Sequence, residues 1–144
     1  MLRMFMLTGT EAYRIFWLGK WLERAEDLAR CISLYLHSPQ REMMLEQLLD
    51  ALHVRDSYAK TGEPLEEKKV LEYLVKGKGA GSILHALQMA RDNASSITNL
   101  KGFQAVVEVY ELVKDTDLEK PEELMAEIVK GTNKAVNAIT KPWL

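Results

Sequence analysis

A chain of 144 residues is the length of one domain, and 47% hydrophobic residues suffice for a core, which excludes a disordered chain. With 19 basic against 21 acidic residues the net charge is only -2, which disfavours a general nucleic-acid binder. A single cysteine, Cys31, excludes an internal disulfide and a Cys-based zinc site, and agrees with a reducing compartment.

The start, "MLRMFML", is apolar but too short for a signal peptide, with no small-residue cleavage site. No apolar run approaches the ~18 residues of a membrane span. A cytoplasmic protein that neither spans a membrane nor binds nucleic acid is expected. Apolar residues recur at intervals of three and four, the helical period, and Gly and Pro fall between such segments. The expected fold is all-α: a single domain over residues 1–144, built as a bundle of about six helices around a long first one.

The first predicted helix runs from Thr10 to His37, with Thr8 and Glu11 at the spacing of a capping box. Ile15, Leu18, Leu22, Ala25, Ala29, Ile32 and Leu36 keep a 3-4 rhythm, and Trp17, Trp21, Leu28, Cys31 and Tyr35 form a second row beside it. Two adjacent apolar rows predict burial over a wide arc, so this helix is expected at the centre of the bundle. Pro39 marks the break after it.

The second helix is predicted over Gln40–Lys60, with Met43, Met44, Leu45, Leu48, Leu49, Leu52 and Tyr58 apolar. "TGEP" is a turn, and a third helix spans Leu65–Lys76. "KGKGAG" breaks the pattern before Ser82, the predicted N-cap of a fourth helix reaching Ile97. A fifth covers Leu100–Lys114. The sixth opens at Pro121 with Glu122 and Glu123, acids where the helix dipole favours them, and ends near Thr140.

Several features invite a functional reading. Glu23, Glu26, Asp27 and Arg30 lie opposite the Leu/Ala row, and Arg24 sits at the edge of the aromatic row. A solvated face with a Glu26–Arg30 pair is the plain reading. The sharper one is a polar patch that holds a partner chain, or a carboxylate or phosphate that Arg grips in bidentate fashion. Asp50-x-x-His53 puts a carboxylate and an imidazole on one helix face, but di-metal bundles need two Glu-x-x-His pairs and two further Glu. No metal site and no cofactor is predicted. "GKGAGS" lacks the P-loop pattern and a preceding strand, so it reads as a connector. Cys31, in an apolar row, reads as an inert buried thiol.

"IFWLGKWLERAEDLAR", Ile15 to Arg30, resembles the signature of the alpha-E family, a predicted helical domain with a Glu-Arg motif. Phe16, Trp17, Gly19, Trp21, Glu23, Arg24, Ala25 and Glu26 stand at the motif's positions, and Lys20 stands where an Arg is usual. "GSILHALQMARDNASSI" resembles a second family segment: Ser82, Ile83, Ala90, Arg91, Asn93 and Ala94 fit it, with Asp92 for Glu, and Phe103 takes the place of an aromatic residue, usually Trp.

The resemblance implies no particular reaction. It implies association with ATP-grasp-type ligases and transglutaminase-like proteins in peptide synthesis or modification. Typical members continue into a later half with a second Glu-Arg motif, so a homodimer or higher oligomer is expected, a second copy supplying that half. Glu23 and Arg24 are expected in a polar network across the bundle, with Ser82, Arg91 and Asn93 as its members on the fourth helix, and Gly19 is expected to admit a neighbouring helix. The leading expectation is an accessory or interaction subunit. The alternatives are an enzyme with a polar or metal site in the bundle core, and a self-assembling structural domain.

Overall fold

The computed structural model describes residues 9–97 and 99–141. These form seven α-helices and one 3-10 turn, with no strand among the described residues. The helices are α1 (Gly9–Leu36), α2 (Leu45–Ala51), α3 (Arg55–Ala59), α4 (Glu67–Lys76), α5 (Ile83–Ala94), α6 (Leu100–Asp115) and α7 (Pro121–Thr140).

The predicted 3-4 row of α1 is the core. Leu18, Leu22, Ala25, Ala29 and Ile32 are fully buried, meeting Ile83 and Leu87 of α5 and Met125 and Ile128 of α7 within one continuous cluster. Each buried Leu or Ile of this row contributes roughly 1.5–3 kcal/mol by leaving water. α1 packs on α5 and α7, and α6 packs on the same two, so the four helices form a ring with α1 and α6 at opposite corners; the expected central place for α1 is not found, because one whole face of it, with Tyr13, Phe16 and Trp17, is exposed. At Gly131 of α7 an added Cβ would lie 2.9 Å from Val109 Cγ2, so this glycine sets how near α6 and α7 come.

Ends are placed as the caps dictate. Ser82 Oγ accepts from the His85 backbone N–H at 3.0 Å and opens α5 as predicted. Asn99 does the same for α6 through Gly102 N–H, and its Nδ2 donates to the Ala138 carbonyl of α7 at 2.8 Å. Pro121 stands in the first turn of α7 with Glu122 and Glu123. Thr8, half of the predicted capping box, lies outside the described residues.

The predicted second helix differs. Gln40–Lys60 is not one helix but a 3-10 turn (Arg41–Met44), α2, a tight corner and α3. The corner is a Schellman motif: the Val54 N–H donates to the Leu49 carbonyl and the His53 N–H to the Asp50 carbonyl, with His53 at φ 58°. Leu49 and Val54 are both buried and supply the apolar contact that accompanies such a motif. Met43 and Met44, expected on an apolar face, are exposed on the 3-10 turn.

Arg41 ties this segment to the bundle. Its guanidinium donates to the Leu36 carbonyl and pairs with Glu67 of α4 at 3.0 Å and Glu122 of α7 at 3.2 Å. Tyr35 Oη donates to the same Glu67 at 2.9 Å. Burial, reinforced by Glu67, pushes the Tyr35 phenol well above its ordinary range.

Candidate functional site

α1 carries two faces with the same rhythm. The inner one is the core. Along the outer one Gly9, Tyr13, Phe16, Lys20, Glu23, Asp27, Arg30 and Leu34 are all exposed. Toward the start of the helix this face is aromatic: Tyr13 is 64% exposed, Phe16 55% and Trp17 38%. Trp17 meets Tyr13 and Phe16 edge to face, with ring centroids 6.3 and 5.5 Å apart. Lys20 Nζ lies 5.7 Å from the centre of the Phe16 ring and 3.8 Å from Glu23 Oε2.

In the middle of α1 the charged residues border a groove of about 320 Å³. It is lined by Lys20, Glu23, Arg24, Asp27 and Leu28 on one side and by Ala51, Leu52 and His53 of the α2–α3 corner on the other. Arg24 Nη2 donates to the Ala80 carbonyl at 3.2 Å, which brings the Gly-rich connector to the same place. That connector rests on the corner: an added Cβ at Gly81 would lie 2.9 Å from Val54 Cγ1, so a side chain there would push the two apart. Three segments remote in sequence therefore meet at the Glu-Arg pair.

The rest of the motif divides between inside and outside. Trp21 is half-buried and meets the His85 ring of α5 edge to face at 5.8 Å. Glu26 is half-buried toward α7, accepting from Arg30 at 3.1 Å as predicted and from Thr132 Oγ1 at 3.4 Å. Gly19 faces open space, with nothing within 4 Å of an added Cβ, so it admits no neighbouring helix of this chain. A glycine inside a helix costs roughly 0.5–1 kcal/mol relative to alanine, and nothing within the fold offsets that here.

The polar network expected across the bundle is not formed. Glu23 and Arg24 are exposed. Arg91 lies over the Tyr110 ring of α6, 4.3 Å from its centre. Asn93 Nδ2 donates to the Met89 carbonyl of its own helix. Ser82 is buried, but it is spent on capping: it accepts from His85 and donates to the Gly77 carbonyl. The physical reason is register. Arg91 and Asn93 lie two to three turns beyond Ser82, and their side chains find partners on α6 and α5, whereas Arg24 turns to the connector before α5.

Sequence reasoning missed His53 as part of this site. It weighed His53 with Asp50 as a metal pair, but Asp50 pairs with Arg55 at 3.0 Å, and Arg55 also grips Glu46. Among the described residues no group of three or more His, Cys, Asp or Glu side chains lies close enough to hold a metal ion. His53 holds a backbone conformation that costs a non-glycine residue roughly 1–2 kcal/mol, and such strain concentrates at functional sites. Cys31, expected to be buried, is half-buried because its row lies at the edge of the core, and burial raises its thiol pKa above the ordinary value.

A helical domain displaying an exposed Glu-Arg pair agrees with a family model described as a predicted alpha-helical domain with a conserved ER motif, Alpha-E, which matches residues 7–135. The chain belongs to the Alpha-E family. No curated protein and no solved structure matches the chain. In this Alpha-E domain the Glu-Arg pair, Glu23 and Arg24, sits on the open side of α1, and no helix among the described residues is long and apolar enough to cross a membrane.

Proposed function

We propose that this Alpha-E protein is an accessory subunit that acts by protein–protein contact, in company with an ATP-grasp- or transglutaminase-type protein of peptide synthesis or modification. One observation carries the mode of action: the family motif continues an exposed aromatic face, with Tyr13, Phe16 and Trp17 outside the core and Lys20, Glu23 and Arg24 following them. Exposed aromatic and arginine side chains on one rigid helix are the residue types that dominate contact surfaces. The class of partner comes from the family resemblance.

A second reading has its own support. Lys20, Glu23, Arg24, Asp27 and His53 converge on one groove, where paired cations and carboxylates suit a zwitterionic or anionic small molecule. Recovery of the tagged protein from its host, with mass spectrometry of what co-purifies and a metal assay on the same eluate, decides between them. The accessory reading expects an ATP-grasp- or transglutaminase-like protein and no stoichiometric metal, and expects Trp17→Ala to reduce the recovered partner. Recovery of the chain alone, or with stoichiometric metal, overturns it and turns attention to the groove as an active site.

A further inference from the structure

Arg24 and Asp27 stand at the i,i+3 spacing that brings opposite charges together on a helix, and both line the groove between α1 and the α2–α3 corner. They do not pair. The Ala80 carbonyl draws Arg24 away, accepting from its Nη2 at 3.2 Å, and the rest of the guanidinium has no partner among the described residues. Arg30, the other cation within a turn of Asp27, is held by Glu26 at 3.1 Å. Among the described residues the Asp27 carboxylate is left without an ion pair or side-chain hydrogen bond, and so is the His53 imidazole across the groove. A guanidinium and a carboxylate thus lie side by side on one rigid helix, neither satisfied by the other, and open to the same space.

We propose that this pair is a binding site for a free α-amino acid with an apolar side chain, Arg24 gripping the carboxylate and Asp27 the ammonium. The proposal rests on the second reading above, the groove as a small-molecule site, and names its ligand. The lining charges select the class. Lys20 and Arg24 balance Glu23 and Asp27, so a phosphate meets two carboxylates and a simple amine meets two cations, whereas a zwitterion finds the sign it needs at both ends. The free N–H groups of Arg24 suit a carboxylate. An α-amino acid carries both its charged groups on one carbon, so both reach side chains whose Cβ atoms are about 5–6 Å apart. The two ends of a longer peptide are too far apart for one such pair. Leu28, nearly fully buried, makes an apolar side to the groove with Ala51 and Leu52, and the ligand's side chain lies there. The space of about 320 Å³ is at the small end of ligand sites, right for one residue rather than a chain.

The test is an NMR titration of the isotope-labelled chain, following backbone amide shifts. The probes are L-leucine, N-acetyl-L-leucine, which lacks the ammonium, L-leucine amide, which lacks the carboxylate, and inorganic phosphate. Leucine is expected to shift the amides around Arg24, Asp27 and His53 together. Each analogue loses one charge-assisted contact and is expected to bind about tenfold more weakly in so open a site, with phosphate no tighter than the analogues.

Two variants assign the ends. Arg24→Ala is expected to lower leucine to the level of leucine amide and to leave leucine amide unchanged. Asp27→Asn is expected to lower leucine to the level of N-acetyl-leucine and to leave N-acetyl-leucine no weaker. Both residues are exposed, so both variants keep the amide spectrum of the folded domain. A purely structural role would instead weaken every probe alike, and that result overturns the assignment.

Equal affinity for leucine and either analogue, or tighter binding of phosphate, also overturns the amino-acid assignment, and leaves the groove a site for another ligand. Absence of any shift around Arg24, Asp27 and His53 with every probe overturns the assignment and the small-molecule reading of the groove together.

Discussion

Leu22 and Arg24 are two residues apart on α1 and face opposite ways, which makes them a controlled pair. Leu22 is fully buried among side chains of α5 and α7. Leu22→Ala removes the buried methyl groups and leaves a cavity that neighbouring helices fill only in part, a change that costs roughly 2.7–5 kcal/mol. At ~2.1 cal/mol/K of unfolding entropy per residue, a chain of this length loses about 3 °C of midpoint per kcal/mol, so a fall of about 10–15 °C is expected.

Arg24 is exposed and donates one 3.2 Å hydrogen bond to the Ala80 carbonyl. Losing an exposed bond of that kind costs about 0–1 kcal/mol, and the alanine in its place is the better helix former. Arg24→Ala, and likewise Glu23→Ala, should therefore move the midpoint by less than about 3 °C. Differential scanning calorimetry of the four chains side by side is the assay. If Arg24→Ala falls as far as Leu22→Ala, the Glu-Arg pair is a structural device after all, and the reading of this face as a contact surface is refuted.

Four further outcomes follow from particular residues. His53→Gly relieves a left-handed φ of 58° and should leave the domain unchanged or up to about 1 kcal/mol more stable in urea, whereas His53→Val should cost more than about 1 kcal/mol; the reverse order would mean that the imidazole itself holds the corner. Tyr35 has its phenol pKa raised by burial and by Glu67, so the unfolded chain gives up that proton first and stability should fall as pH rises past about 10; Tyr35→Phe should cost about 1 kcal/mol at neutral pH and flatten the alkaline fall, with any remaining slope belonging to Tyr58, whose pKa burial also raises. Ser82→Ala removes both the cap on α5 and the bond to the Gly77 carbonyl, and should cost about 1–2 kcal/mol in thermal melts, Ser82→Thr less. Gly19→Ala meets no atom within the fold and should raise stability by roughly 0.5–1 kcal/mol while reducing the partner protein recovered with the tagged chain; unchanged recovery would leave this glycine without a contact role.

The elements that sequence periodicity placed well are those where burial and period agree. α1, α4, α6 and α7 were legible because one apolar row in each repeats at the helical period and ends at a Gly, Pro or cap. The second predicted helix failed at two points, the 3-10 turn at Arg41–Met44 and the corner at His53. His53 closes a Schellman motif in the seat usually taken by Gly or Asn, so no residue type announced the turn, and the apolar rhythm of Leu48, Leu49 and Leu52 ran on into Tyr58. The candidate site was half legible for the same kind of reason. Glu23 and Arg24 could be read as a patch, since neighbours on one helix are fixed by its period. Their meeting with His53 and Ala80 depends on how α2 and the connector fold back on α1, and that is tertiary information.

Outward aromatics carry a cost for a lone domain. Tyr13, Phe16 and Trp17 lie within two turns on a helix whose inner row is already filled, so their exposure is not overflow from an underbuilt core. Contiguous exposed apolar surface on an isolated domain favours unspecific association unless something covers it. The charges that follow are the natural complement to such a patch. Lys20, Glu23, Arg24 and Asp27 bring both signs to the middle of α1, and mixed charges beside apolar surface favour a matched partner over one that merely seeks apolar surface. α1 thus carries aromatic and then charged side chains on its open face, and aliphatic ones on its closed face. The Glu-Arg motif stands beside two tryptophans that divide between the two faces, Trp21 turned in against His85 and Trp17 left out.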